Sequence, residues 1–209
     1  ETTGTRSLSF SYAIVTDGAG GAVVTWEDIR NELDFDVYAQ RVLKSGVIAP
    51  GWPANGRAVC AVGEDQYAPR LATDGAGGAI VSWRDLRNGV DDDIYAQHVL
   101  DSGALDPTWP AQGRALCTAV GDQYNRAILP DGAGGAIIAW RDMRNFAAGD
   151  DIYAHHVRAN GTADPAWPAD GRGLCTAPDG QAWPEMVPDG SGGAIVTWHD
   201  LRGGVDCDI

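Results

Sequence analysis

The sequence lacks the features that mark several common classes of protein. No run of about 18 consecutive apolar residues occurs, so we expect no membrane-spanning helix. No signal peptide is visible, and because Glu1 is not an initiator methionine, removal of a leader or trimming of the chain stays open. Helical periodicity does not survive between the glycines and prolines. The Gly-x-Ser-x-Gly, phosphate-loop and Cys-x-x-Cys motifs are also missing, so the sequence offers no singular catalytic constellation.

Positive charge is scarce in this chain. The 209 residues include 15 Lys and Arg against 29 Asp and Glu, which gives a net charge of −14. Nucleic acids and anionic membranes repel such a surface, so we expect neither as a partner. An acidic surface suits divalent cations or basic partners, or it serves solubility alone.

Cysteine is also rare, and its spacing does not indicate a disulfide framework. Cys60, Cys117 and Cys175 occupy the same position of a repeated segment. Equivalent residues of successive modules usually lie farther apart than the roughly 4.4–6.8 Å between Cα atoms that a disulfide allows. We therefore expect buried apolar fillers on strands, with Cys207 as a candidate free thiol. The cysteine count leaves the compartment open.

The segment TDGAGGAVVTWEDIR near the start of the chain is followed by three closely similar copies. Its later copies begin at Thr73, Pro130 and Pro188. The intervals between the corresponding aspartates are 57, 57 and 58 residues. A fixed long period indicates one supersecondary unit that is copied along the chain, each copy burying its apolar face against its neighbours.

One repeat contains the signals of four short strands. In the second copy, alternating or β-branched runs predict strands over Gln66–Thr73, Ala79–Trp83, Ile94–Leu100 and Arg114–Ala119, with a glycine turn between the first two. Four strands joined by tight turns describe the blade of a β-propeller, so the predicted fold is all-β. A parallel β-solenoid is the less favoured alternative, because its coils are shorter, roughly 20–30 residues in leucine-rich examples.

The string DGxGGAxVxWxDxR followed by DIYAQ resembles a repeat of large secreted or cell-surface bacterial proteins of propeller type. The resemblance covers almost the whole chain. It implies a propeller located outside the cytoplasm, and it implies nothing specific about an activity.

The repeats predict one array of three and a half blades. The expected boundaries are residues 8–62, 66–119 and 123–177, followed by a half-blade over 183–209. A propeller requires closure, usually with four to eight blades, and a half-blade leaves an unpaired edge strand. We therefore predict a homodimer in which two chains close a seven-bladed ring. Both half-blades carry the same inner strands, so their pairing stays open. The alternative is that the chain is a fragment of a longer parent.

Aspartates recur after the second strand and before the third strand of each repeat, and they allow two interpretations. Rings of carboxylates around a central funnel can bind Ca²⁺, although no loop has EF-hand spacing. Alternatively, each Asp pairs with an Arg of the Trp-x-Asp-x-Arg motif and ties down a loop. Strict recurrence favours the second interpretation. The candidate metal ligands are Asp28, Asp85, Asp142, Asp200, Asp36, Asp93, Asp151 and Asp208.

Aromatic side chains supply the candidate binding residues. The tryptophans that end the second strands are expected to pack between blades. Those in the Pro-x-Trp-Pro connections are either clasps over the blade edge or stacking platforms for sugar rings. Trp183 breaks the pattern set by Tyr67 and Tyr124. The candidate binding residues are Trp52, Trp109, Trp167, Tyr67, Tyr124 and Trp183.

Among the four histidines, His199 is the singular candidate for a catalytic general base. It replaces Glu27, Arg84 and Arg141 of the other copies and precedes Asp200. The alternative is a surface histidine without a role. His155 and His156 are sequence neighbours, so on a strand they point to opposite faces and do not easily share a metal.

Two functions from different classes fit these observations. The leading hypothesis is a binding or scaffolding propeller that presents an acidic polar face to a glycan, protein or small-molecule partner. The alternative is a Ca²⁺-dependent hydrolase of phosphoesters or lactones, similar to metal-dependent esterases and phosphotriesterases, with its site in the funnel. Fold class does not decide between them, because function depends on the site.

Overall fold

The computed structural model describes residues 11–202. These residues form fourteen strands and one short 3-10 turn, Phe146–Ala148. Within this range no helix is long and apolar enough to cross a bilayer. The strands are β1 (Tyr12–Thr16), β2 (Ala22–Asp28), β3 (Asp36–Val42), β4 (Arg57–Cys60), β5 (Gln66–Thr73), β6 (Ala79–Asp85), β7 (Asp93–Val99), β8 (Arg114–Cys117), β9 (Gln123–Pro130), β10 (Ala136–Asp142), β11 (Asp151–Val157), β12 (Arg172–Cys175), β13 (Gln181–Pro188) and β14 (Ala194–Asp200).

The strands form antiparallel sheets in chain order. Sheet 1 contains β1–β4, sheet 2 contains β5–β8, sheet 3 contains β9–β12, and β13 and β14 form the two-stranded sheet 4. The predicted all-β class and four-stranded antiparallel sheets are confirmed. In the second copy the third strand begins at Asp93 and the fourth ends at Cys117, within two residues of the predicted limits. The parts of the first and last predicted blades at 8–10 and 203–209 lie outside the described residues.

The first hairpin of each sheet is closed by an aspartate. In sheet 2, one carboxylate oxygen of Asp74 accepts hydrogen bonds from the backbone N–H groups of Ala76 and Gly78, at 2.7 and 2.9 Å. Gly75 and Gly77 have φ values of 77° and 96°, which strain other residue types. The Asp-Gly-x-Gly-Gly spacing therefore encodes this turn.

The core lies between successive sheets. Val23 and Val37 of sheet 1 pack with Val81 and Trp83 of sheet 2, all fully buried. The first strands β1, β5, β9 and β13 contact one another in series. Each loop between the second and third strands also contacts the loop that leads into the next sheet, as where the N–H of Gln123 donates to the carbonyl of Asp92 at 2.8 Å. Both polar loops therefore lie at one end of the sheets.

The repeated cysteines are free, as expected. Cys60 and Cys117 are buried, and Cys175 is half-buried. Burial raises the pKa of the Cys60 and Cys117 thiols to about 12. These thiols are therefore packing groups rather than nucleophiles. Cys207 lies outside the described residues.

Candidate functional site

The Trp-x-Asp-x-Arg motif builds a closed polar cluster at the end of each second strand. In sheet 2, the indole Nε1 of Trp83 donates to Oδ2 of Asp85 at 2.7 Å, and Nε of Arg87 donates to Oδ1 of the same carboxylate at 2.7 Å. The guanidinium of Arg87 lies 3.9 Å from the centroid of the Tyr95 ring. Asp85 is fully buried. We call this Trp–Asp–Arg–Tyr arrangement the brace.

The brace recurs in sheets 1 and 3, and its Trp–Asp–Arg part recurs in sheet 4. Half of the predicted metal ligands are thus bound to an arginine of their own repeat. The hydrogen bond from Arg30 holds the pKa of Asp28 at about 2. Such a paired carboxylate has little capacity left for a cation. The pairs are Asp28–Arg30, Asp85–Arg87, Asp142–Arg144 and Asp200–Arg202.

The predicted metal ligands at the start of the third strands are buried beside asparagines. Oδ2 of Asp93 accepts a hydrogen bond from the Asn88 amide at 3.1 Å. Its Oδ1 is buried and has no partner in residues 11–202. Burial, with the charges of Asp91 and Asp85, raises the pKa of Asp93 to about 7. Asp36 and Asp151 hold equivalent positions with Asn31 and Asn145.

Within the described range, no three His, Cys, Asp or Glu side chains are grouped so that they could hold a metal ion. Asp208, the last of the predicted ligands, lies outside that range. Calcium binding therefore stays a prediction, and the observed contacts favour the alternative in which the aspartates tie down loops.

Two of the three connection tryptophans are clasps. Trp52 and Trp109 are only 6% and 4% exposed. Their indole N–H groups donate to the carbonyls of Asp101 and Ala159 in the next sheet's connection, both at 2.9 Å. A sugar platform requires an exposed ring face, so the structure contradicts the platform interpretation for these two residues. Trp167 is half-buried against His155 and His156.

Tyr67 and Tyr124 form a rim with arginine at the polar-loop end. The Arg84 guanidinium lies 4.5 Å from the centroid of the Tyr67 ring and 4.1 Å from that of Tyr124, so it contacts aromatic rings of two sheets. Arg84 is also paired with Asp92, which accepts the Tyr67 hydroxyl at 2.5 Å. Burial and this hydrogen bond raise the pKa of Tyr67. The Tyr67 hydroxyl and the charge of Arg84 are thus both paired with Asp92, while Nε of Arg84 is buried without a partner in residues 11–202.

Trp183 does not occupy the position of the two tyrosines. Ala182 lies opposite His199, just as Tyr67 lies opposite Arg84. Trp183 is the next residue, at a bulge in β13, with φ 51°. The prediction that Trp183 replaces the tyrosine is therefore wrong by one residue. The structurally equivalent positions in sheets 2 and 3 carry Ala68 and Asn125.

His199 and Trp183 contact each other on sheet 4. Their rings meet edge to face with centroids 5.0 Å apart, and Trp183 is 48% exposed. Nδ1 of His199 is buried without a hydrogen-bond partner in the described residues. The carboxylate of Asp200 is bound to Arg202 and Trp198. The geometry does not pair His199 with the carboxylate that a general base needs for orientation.

Four arginines that the repeat pattern does not indicate as a group converge on β5, β6, β9 and β10. We call Arg70, Arg84, Arg126 and Arg141 the arginine cluster. Arg84 and Arg141 are paired with Asp92 and Asp150. No ion pair of Arg70 or Arg126 occurs in residues 11–202, and Nε of Arg126 is buried without a partner. Burial lowers the pKa of Arg126, and the charges of Arg70, Arg141 and Arg84 lower it further.

The available sequence signal was a departure from the repeat. Arg126 aligns with Pro69 and Pro184, while Arg70 aligns with Ala127 and Glu185. A search for recurring residues passes over both positions, because arginine occurs at each of them in only one of the aligned copies.

Comparisons with known proteins give a fold and no family. No protein-family model matches the chain, and no curated protein matches it. Among solved structures, the chain is similar to an endo-arabinase from Bacteroides thetaiotaomicron VPI-5482, with 14% identity and a TM-score of 0.51 over 90% of this chain and 69% of that one. An alpha-L-arabinofuranosidase from Lactobacillus brevis matches with 8% identity and a TM-score of 0.43, over 86% of this chain and 62% of that one. The endo-arabinase likeness supports an all-β fold of propeller type.

Proposed function

We propose that this chain is a β-propeller binding module for glycans, with its ligand surface on the first strands of the sheets. The observation that carries the proposal is the pair Trp183 and His199. Trp183 exposes about half of its side chain at a position that does not follow the repeat. A half-exposed indole beside an imidazole suits a sugar, which offers apolar faces and hydroxyl groups.

Two further observations support a glycan over other partners. The recurring polar groups of the brace are satisfied within their own repeats, so they are not available to a ligand. The fold is similar to that of a protein named as an endo-arabinase, which accords with a carbohydrate ligand. The comparisons do not support hydrolysis of phosphoesters. A secreted or cell-surface location belongs to the same proposal, since glycans are abundant there.

The experiment compares two tryptophans. Binding of soluble neutral and uronic-acid-containing polysaccharides is measured by calorimetry for the wild type, Trp183→Ala and Trp167→Ala. We expect Trp183→Ala to weaken binding at least tenfold, since alanine removes the exposed ring, and Trp167→Ala to change it less than twofold. Far-ultraviolet circular dichroism controls for folding. The proposal fails if no polysaccharide binds the wild type, or if the two variants lose affinity equally.

A second copy of the chain remains our proposal for closing the ring. Ile14 and Ile195 are 63% and 57% exposed, although the aligned Leu71 and Ile80 of sheet 2 are buried between sheets. The outer faces of sheets 1 and 4 thus carry apolar residues at positions that are buried between neighbouring sheets inside the array. A second chain could cover these two faces. Light scattering should give about twice 22.0 kDa. A monomeric mass at micromolar concentration would contradict it.

A further inference from the structure

We propose that Arg70 and Arg126 form an oxyanion-binding site on the first strands, and that it takes the carboxylate or sulfate group of an acidic glycan. This inference rests on the proposed glycan function and names the class of ligand. It assigns a role to two residues that are absent from the repeat pattern.

Arg126 carries a charge without a counter-ion in an acidic protein. The chain has 29 Asp and Glu residues, yet within residues 11–202 none forms an ion pair with Arg126. Its Nε is buried and makes no hydrogen bond there. Arg126 is half-buried, so leaving its Nε without an acceptor costs some stability, and the charges of three other arginines add to that cost. A bound anion would remove the penalty.

Arg70 brings a second uncompensated charge to the same place. Its Nε donates to the carbonyl oxygen of Arg126 at 3.2 Å, and its Nη1 donates to that of Pro69 at 3.0 Å. These bonds hold the Arg70 side chain against β9, but a carbonyl oxygen does not neutralise its charge. A guanidinium has five N–H donors in a planar fork, which matches the oxygens of carboxylate and sulfate groups.

The fold itself does not require these guanidinium groups. Proline stands at the position of Arg126 in sheets 2 and 4, and alanine stands at the position of Arg70 in sheet 3. Glu185, which aligns with Arg70, is exposed and exerts only the weakest of the charge effects on Arg126. Its carboxylate is therefore not a substitute for a ligand. A structural role shared by the repeats does not explain either arginine.

The charges of Arg84 and Arg141 shape the site without binding the anion. Asp92 and Asp150 pair with these two guanidinium groups and neutralise their charge, although Nε of Arg84 is buried without a partner in residues 11–202. Both guanidinium groups also lie near the ring of Tyr124, at 4.1 and 5.2 Å from its centroid. Their residual field raises the local potential, while the net charge of −14 repels anions at long range. We therefore expect binding that is local and selective.

The test uses inorganic sulfate and sodium glucuronate as probes, at constant ionic strength and pH 7. Calorimetry is run on the wild type, on Arg126→Gln and Arg70→Gln, and on Arg158→Gln as a control. Arg158 already pairs with Asp164 on the surface. We expect saturable binding of at least one probe to the wild type, a loss of at least tenfold in Arg126→Gln and Arg70→Gln, and less than a twofold change in Arg158→Gln. Glucuronate alone would indicate a carboxylate ligand, and sulfate alone a sulfated one.

The outcomes separate this inference from the proposed function. Absence of saturable binding of either probe to the wild type overturns the anion site, whatever the variants do. An equal loss in Arg158→Gln also overturns it. If neutral polysaccharides bind in a Trp183-dependent manner and neither probe binds, the glycan function stands and the anion site falls. If a probe binds but no polysaccharide does, the anion site stands and the glycan function falls.

Discussion

The brace and the arginine cluster use the same residue type in opposite ways. In the brace, Arg87 meets the carboxylate of Asp85, the ring of Tyr95 and a backbone carbonyl, so its charge and donors are satisfied. In the cluster, Arg126 has like charges for neighbours and no ion pair within residues 11–202. The brace recurs in successive sheets and the cluster does not. We therefore assign the recurring residues to stability, and the residues that depart from the repeat to the candidate ligand surface.

The largest effect should come from breaking a buried brace. Asp85→Ala leaves Arg87 and the Trp83 indole without their acceptor, and we expect a loss of about 3–5 kcal/mol in the free energy of unfolding. Asp28→Ala is the matched variant in sheet 1, where the partner Arg30 is 41% exposed. There we expect only about 1–2 kcal/mol, because water replaces the lost bonds. Urea unfolding measures both, and equal losses would contradict the explanation by burial.

The second test concerns the glycine hairpins, where sheet 2 has a histidine at the position that an arginine occupies in sheet 1. Arg41 binds Asp17 in sheet 1, whereas in sheet 2 His98 contacts Asp74 through Nε2 at 3.0 Å and Asp106 through Nδ1 at 2.9 Å. Only a protonated ring donates to both carboxylates. Burial alone would lower the pKa of His98, but the hydrogen bonds to Asp74 and Asp106 raise it.

Because the folded pKa of His98 is raised, its stabilisation is fully present below the unfolded value of about 6.5 and is lost as pH rises through the folded value. We expect His98→Arg to match the wild type at pH 5.5 and to be more stable than it at pH 9, because arginine keeps at pH 9 the positive charge that histidine loses. Unfolding free energies at both pH values provide the measurement. A constant difference across that range would disprove protonation of His98.

The third test removes the buried charge of Asp93, whose Oδ1 has no hydrogen-bond partner in residues 11–202. Its raised pKa, about 7, means that the folded state holds this proton above the unfolded pKa of about 3.9, so its ionisation costs stability as pH rises between them. Asp93→Asn should therefore raise the unfolding free energy by about 1 kcal/mol at pH 8 and by little at pH 4. Melting temperatures with Ca²⁺ and with chelator also test the calcium prediction. Stabilisation by Ca²⁺ that disappears in Asp93→Asn would support it.

The smallest effect on stability should occur in the arginine cluster. Arg126→Gln removes a charge that has no partner, so we expect a change within about 0.5 kcal/mol in the absence of ligand, or a small gain. A loss comparable with that of Asp85→Ala would show that Arg126 stabilises the fold, and the contrast between brace and cluster would then fail.

Most of the local structure followed from the repeat. Glycine spacing after Asp74 predicted the turn, and β-branched runs such as Ala79–Trp83 predicted strands. For Asp85 the sequence allowed two interpretations, a ligand of a metal ion or a partner of Arg87. Spacing along the chain limits which side chains can meet, but it does not show whether a carboxylate binds a metal ion or an arginine. For Trp52 the sequence did not decide between a clasp over the blade edge and a platform for sugars. The indole donates to the carbonyl of Asp101, which belongs to the next repeat, so the contact is not visible in the local sequence.

The sequence by itself determined the all-β class, the four-stranded unit and the turn chemistry, because these depend on short-range periodicity and backbone preferences that every copy repeats. The tertiary structure decided the shift of Trp183 at its bulge, the burial of Trp109 and the unpaired state of Arg126. These depend on register and on distances between sheets. Charges far apart in sequence pair only when packing brings them within a few ångströms, and no local pattern encodes that distance.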